Sequence, residues 1–124
     1  MVIDAQNEFC AGGSRAVPNH STALAAIQHQ VDRARQERRP IAWVRHRNKP
    51  NEASAFIPGT WGAELSPGLG PKTGFGHEAL FEKDVYGAFA GTMILEWLRL
   101  HDAQAILSAG STRICVSPRL LARP

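Results

Sequence analysis

Long apolar runs are missing from this 124-residue chain. None approaches the roughly 18 residues that a membrane-crossing helix needs, so no membrane partner is expected. A basic leader is missing too. The opening MVIDAQNEF carries an acid at Asp4 and no Lys or Arg, which is not the pattern of a secretory signal, and a cytoplasmic location is expected. Cysteine is scarce, with only Cys10 and Cys115. Two such residues far apart are read as free thiols and not as a disulfide framework. Lysine is scarce as well, since eleven of the 14 basic residues are arginine in a chain of net charge +3. Several arginines cluster as Arg33, Arg35, Arg38, Arg39, Arg45 and Arg47. A nucleic-acid reader would interleave such a patch with exposed aromatics or carry a known reading module, and neither is visible. The cluster is read as a solvated helix end, with no nucleic-acid partner.

What is present fits one soluble domain over residues 1–124, with 44% hydrophobic and 20% charged residues. There is no repeat and no low-complexity tract. Val2 and Ile3 read as the end of a short buried strand. After a Gly-rich turn at residues 11–14, the stretch STALAAIQHQVDRARQERR reads as a helix capped by Asn19 or Ser21. Leu24, Ile27, Val31 and Ala34 recur at helical spacing, and Pro40 stops it. IAWVRH, residues 41–46, reads as a buried strand. Residues 47–76 form a long loop rich in Gly, Pro, Asn and Ser, of a length that is usually functional or disordered. ALFEK, 79–83, is a third strand; a second helix is expected from about Ala90 through GTMILEWLRLH; and QAILSA, 104–109, is a fourth strand. The alternation argues for an α/β fold with a mainly parallel sheet.

In such sheets chemistry collects beyond the carboxyl ends of the strands. Asp4 follows the first strand, Lys83 ends the third, and Cys115 stands just past the fourth, where a helix could begin. Only a thiolate attacks carbonyls well, and an ammonium and a helix N-terminus both favour it. Asp4 could accept the thiol proton and later serve a leaving amine or water. Singly, each residue has a plainer use: Cys115 as core between Ile114 and Val116, Lys83 as a solvated strand end, Asp4 as a turn residue.

Four ordered stretches span nearly the whole chain: VIDAQNEFC followed by GG, FIPGTWGAEL (56–65), EKDVYGAFAGT (82–92) and STRICV (111–116). Together they resemble the isochorismatase-like cysteine hydrolases. The resemblance implies a three-layer, doubly wound parallel sheet in strand order 3-2-1-4-5-6. It implies an Asp4–Lys83–Cys115 catalytic triad that cleaves an amide or ureide C–N bond of a small molecule through a thioester. It further implies an oxyanion site at the backbone N–H groups of Cys115 and Ser111, beside a cis peptide between Gly110 and Ser111. Phe9 and Trp61 would line the pocket. Nicotinamidases of this family carry an Asp-x-His metal motif after the second strand; here that region reads HRNKPNE, so no metal and no other cofactor is expected. The stretch GLGPKTG lacks the spacing of a phosphate loop. A homo-oligomer is expected.

The departures are of two kinds. Ala109, Gly110, Gly87 and Asp102 replace other family residues mildly. The ending VSPRLLARP replaces the two strand–helix units that follow the cysteine in the family, so strands 5 and 6 are expected to be missing and the outer edge of the fourth strand to be open. The competing expectation is therefore an inactive fragment or pseudoenzyme acting only as an interaction or oligomerisation partner.

Overall fold

The computed structural model describes residues 1–49, 51–72, 74, 77–85, 87–110 and, as backbone, 114–117. Strand β1 (Val2–Ile3) leads through a 3-10 turn at Asn7–Phe9 to helix α1 (His20–Gln36). Strand β2 (Ile41–His46) precedes a long connection that holds a second 3-10 turn, Trp61–Ala63. Strand β3 (Glu78–Lys83), helix α2 (Ile94–Leu100), strand β4 (Ile106–Gly110) and strand β5 (Ile114–Ser117) complete the described order. The sheet runs β3-β2-β1-β4-β5. Its first four strands are parallel, as expected from the alternation of strand and helix.

Strand alternation sorts the core into two layers. Val2, Trp43 and Ala109 face one side, where α1 contributes Ile27 and Val31. Val44 and Ile106 face the other, where α2 contributes Ile94 and Leu98. Strand β2 is buried on both faces over its first four residues, which is why IAWVRH opens as a continuous apolar run and not an alternating one.

Helix α1 begins beside Asn19, a residue in the left-handed conformation whose side chain makes no capping bond. It ends before Arg38, also left-handed at φ 55°. Helix α2 starts four residues later than the sequence suggests. Gly91 has φ 67°, a conformation outside the right-handed helix, so the helix forms only beyond it.

The structure corrects the expectation after β4. The sequence reading starts a helix near Cys115 and leaves the β4 edge open. Instead, residues 114–117 form β5, antiparallel to β4, with Cys115 opposite Ser108 and Ile114 opposite Ala109. A β-branched stretch beside an unpaired strand edge satisfies that edge's backbone groups by pairing with it.

One buried ion pair ties the layers together. The Arg35 guanidinium grips the Glu78 carboxylate at 2.9 Å through both Nε and Nη2, and the Trp43 indole donates to the same carboxylate at 2.9 Å. Burial opposes the charge on Glu78, but the Arg35 and Trp43 bonds outweigh it and hold that carboxyl below its usual range. Arg35→Met leaves the Glu78 charge buried without its counter-ion and is expected to cost about 3–5 kcal/mol in urea unfolding. The double variant Arg35→Met/Glu78→Gln should recover a large part of that loss, and a double variant as unstable as the single one would contradict this account.

Candidate active site

Strands β1, β2 and β3 end side by side. In the β2–β3 register His46 stands opposite Lys83, the last residue of each strand, and Asp4 follows Ile3 at the end of β1. Asp4 leaves the strand with φ 57°, a turn that Asp tolerates better than most residues. Its N–H donates to Val44 O at 2.9 Å, which fixes the carboxylate beside β2.

Lys83 is the centre of the site. Its side chain is only 2% exposed. The ammonium donates to the Asp4 carboxylate at 3.3 Å, to Val85 O at 3.3 Å and towards His46 Nδ1 at 3.3 Å. The structure thus brings together two of the sequence-selected residues, Asp4 and Lys83. The backbone at Cys115 stands apart from them. Ile3 pairs with Gly110, whereas Cys115 pairs with Ser108 two strands away from β1. With about 4.8 Å between strands and about 3.3 Å per residue, its Cα lies on the order of 14 Å from that of Asp4. The Gly110–Ser111 peptide, the Ser111 N–H and the Cys115 side chain lie outside the described atoms.

Phe9 and Trp61 differ. Phe9 is half-buried and stacks obliquely on Phe56, with ring centroids 5.4 Å apart. Phe56 in turn meets the His46 ring edge-on at 5.2 Å. Phe9 therefore borders the Lys83 site through this aromatic row. Trp61 is 51% exposed, and its carbonyl accepts the Asn7 amide at 3.0 Å.

Strand-end reasoning passed over His46, although it closes IAWVRH in the same way that Lys83 closes ALFEK. It also passed over the polar residues between Asp4 and Phe9. Gln6 is fully buried and clasps the backbone of His46, accepting from its N–H at 2.8 Å and donating to its carbonyl at 2.9 Å. The same amide donates to Ala63 O at 2.7 Å. Glu8 is buried too, and receives the Ser14 N–H and hydroxyl at 2.8 and 2.7 Å and the Phe56 N–H at 2.8 Å. Burial works against its charge, but these three bonds, with Arg15 nearby, hold its carboxyl below the usual range. A Cβ at Gly62 would collide with the Glu8 carboxylate, so a larger residue there would have to displace the clamp. The long connection after β2 is therefore ordered by the first motif, and the left-handed Phe56 (φ 55°) is held by Glu8.

His20 lies at the far end of the aromatic row, 6.2 Å from Phe9 between ring centroids. It is 5% exposed, with no hydrogen-bond partner for either ring nitrogen among the described residues, and burial pushes its pKa down, which favours the neutral ring. Among the described residues no group of three or more His, Cys, Asp or Glu side chains is arranged to hold a metal ion. No helix of the described residues is long and apolar enough to cross a membrane. A groove of about 610 Å³ opens at the opposite end of the sheet, between α1 and the start of β4, lined by Ile27, Val31, Ala34 and Leu98 among others. It is formed at the amino ends of the strands and shares no residue with the Asp4–Lys83 site.

Because the Glu8 carboxyl is held low, its ionised clamp stabilises the fold above the ordinary carboxylate range near pH 4.3, and this contribution fades as pH falls through that range. Glu8→Gln should cost about 2 kcal/mol at pH 7, with the difference from the parent shrinking steadily below about pH 4. A pH-independent difference in denaturant midpoints would assign the loss to packing instead of charge.

Comparison with known proteins agrees with this geometry. The isochorismatase domain pattern matches residues 1–122. A nicotinamidase/pyrazinamidase of Mycobacterium tuberculosis is 29% identical over 138 aligned positions, which cover 94% of this chain and 73% of that protein. The crystal structure of an isochorismatase from Pseudomonas putida KT2440 superposes with a TM-score of 0.77 at 31% identity, over 88% of this chain and 53% of that one. N-carbamoylsarcosine amidase of Thermoplasma acidophilum shares the fold, with a TM-score of 0.78 at 22% identity over 88% of this chain and 64% of its own. The chain thus spans about half to two thirds of the length of these two solved structures. With its matched pattern, its parallel β3-β2-β1-β4 order and its strand-end Asp4–Lys83 pair, the chain belongs to the isochorismatase family.

Proposed function

We propose that the chain carries the chemistry of a cysteine hydrolase acting on an amide or ureide C–N bond of a small molecule. The observation that carries this reading is the buried Lys83 ammonium against the Asp4 carboxylate at the carboxyl ends of β3 and β1. Amidase relatives support the bond type: the similar proteins include a nicotinamidase/pyrazinamidase, and N-carbamoylsarcosine amidase shares the fold. In the proposed reaction Asp4 takes the proton of the Cys115 thiol, and Lys83 stabilises the negative charge that results. The thiolate forms a bond to the substrate carbonyl carbon, and the C–N bond breaks as Asp4 returns the proton to the departing nitrogen. Water, deprotonated by the same carboxylate, then cleaves the thioester and restores the thiol. Backbone N–H groups at Ser111 and Cys115 would hold the oxyanion. Phe9 and Trp61 would border the substrate, and no metal or other cofactor is invoked. A soluble, cytoplasmic homo-oligomer is the expected setting.

This chemistry requires Cys115 to leave its ladder with Ser108, because a cysteine side chain spans only a fraction of the distance to Asp4. That same pairing favours a second reading, an inactive chain that serves as an interaction or oligomerisation partner, with β5 as the sheet edge it presents.

The two readings separate on one pair of measurements. An active hydrolase releases ammonia or amine from a panel of small amides, ureides and N-carbamoyl compounds. That release is abolished in Cys115→Ala and falls by about 10²-fold or more in Asp4→Ala. Its Cys115 also reacts with iodoacetamide at about pH 6.5 faster than Cys10, and Asp4→Ala or Lys83→Ala slows the labelling. Slow labelling of both cysteines alike, with no product from any substrate, would overturn the hydrolase reading and leave the inactive chain.

A further inference from the structure

We propose that His46 is a positioning residue that holds Lys83 as an ammonium aimed at Asp4, and that it does so only while its ring is neutral. The inference rests on Lys83 belonging to the site described above, and it concerns how that charge is held, whichever substrate is cleaved.

A lysine ammonium has three N–H groups and no acceptor. Lys83 meets three partners, Asp4, Val85 O and His46 Nδ1, each at 3.3 Å, in a position almost sealed from water. Imidazole Nδ1 can accept only when it carries no proton, so the ring proton belongs on Nε2. The surroundings of Nε2 agree. It lies 2.8 Å from Asn48 Oδ1, and the Asn48 amide is oriented by donating from Nδ2 to Ala55 O at 2.7 Å. With Nδ2 committed to Ala55, Oδ1 is left facing the ring as an acceptor. Asn48 is itself held, its N–H donating to Phe56 O at 3.1 Å. One tautomer of neutral His46 therefore satisfies every partner in the array.

The ring has little freedom to do otherwise. Gln6 bonds the His46 backbone on both sides, and Phe56 packs edge-on against the ring. Phe56 is anchored through its N–H to Glu8. The charged groups around His46 come from every adjoining element. Lys83 faces it from β3, Asp4 stands beyond Lys83 after β1, and Glu8 lies behind Phe56 in the first 3-10 turn. On its own strand and just after it, Arg45 and Arg47 are engaged by Glu82, and Lys49 by Asp84. Lys83 is thus the charge in direct contact with the ring. A second proton on His46 would place an N–H at Nδ1 opposite the ammonium. One acceptor would be lost and two positive charges would stand in contact, so the Lys83 array must open.

The test reads Lys83 directly. The chain has only Lys49, Lys72 and Lys83, and the first two are exposed. In 15N-lysine-labelled full-length protein, the Nζ–H signal that disappears in Lys83→Arg should be the one protected from solvent exchange at neutral pH. It should lose that protection on acidification together with the ring-carbon shift of His46. His46→Asn supplies an acceptor that does not titrate where Nδ1 stands, and should keep the Lys83 signal protected with no transition between about pH 8 and 5. His46→Leu, checked for folding by circular dichroism, should speed Lys83 hydrogen exchange at least about tenfold. Exchange in His46→Leu within about twofold of the parent, or an unchanged acid transition in His46→Asn, would overturn the proposal. Should His46→Leu not fold, the parent and His46→Asn comparison decides alone. Because no arm depends on turnover, a chain that hydrolyses no amide still gives a clear answer, and the failure of the hydrolase reading stays distinct from the failure of this one.

Discussion

A buried ammonium is the constraint around which this end of the molecule is organised. Removing a charged group from water costs several kcal/mol unless partners replace the hydration shell. Lys83 has little water to fall back on, so its partners must be supplied by the protein, and each comes from a different part of the chain: Asp4 after β1, His46 at the end of β2, Val85 after β3. That demand explains why these strands terminate at the same level. The register that sets His46 opposite Lys83 and Ile3 opposite Val44 is the register that brings the acceptors to the amine. A slip of one residue in either pairing would turn the side chains to opposite faces and leave the charge buried and unpaired.

The same reasoning accounts for the density of polar residues between Asp4 and Phe9. Gln6, Asn7 and Glu8 are all buried, an unusual placement for such side chains, and all are spent on the backbone of other segments. They close a connection of more than thirty residues between β2 and β3 onto the strand ends. Without them, the Phe56 ring and the Asn48 amide would have no fixed place beside His46. A left-handed conformation at a bulky residue costs on the order of 1–3 kcal/mol, and it persists at Phe56 because Glu8 and Asn48 hold its N–H and carbonyl at once. The stability of the clamp and the geometry of the site are therefore one quantity, seen from two sides.

Two elements were legible from residues alone. IAWVRH read as a buried strand from its short β-branched and aromatic run, and the apolar spacing of Leu24, Ile27, Val31 and Ala34 described a helix with one apolar face. Strand-end logic then found Asp4 and Lys83 before any resemblance was considered. It stopped short of His46, because a histidine in an apolar run has a common structural use and its partner lies 37 residues away in sequence. The role of Glu8 was beyond reach for a related reason. Nothing local announces that a carboxylate bonded to nearby Ser14 will also take the backbone N–H of Phe56, 48 residues on, since that pairing exists only once the connection has folded. The start of α2 was misplaced because Gly91 reads as a mild helix weakener, whereas its positive φ makes it a boundary.

After Gly110 the local signal is balanced, and the sheet decides. Ile114, Cys115 and Val116 suit the end of a strand that turns into a helix, and they suit a strand proper equally well. In the order 3-2-1-4-5-6 the outer edge of β4 is covered by a further parallel strand, so the segment after it has no edge to satisfy and is free to turn over the carboxyl end of the sheet. Here the described residues contain no other strand beside β4, and the segment three residues beyond it pairs with that edge instead. The antiparallel return carries Cys115 back towards the amino end of β4, away from Asp4. Under the proposed hydrolase chemistry, closing the edge and bringing Cys115 to Asp4 would therefore compete for the same four residues. On that proposal, another strand or another copy of the sheet on the outer edge of β4 would release 114–117 from that duty and leave Cys115 free to approach the carboxylate and ammonium at the strand ends.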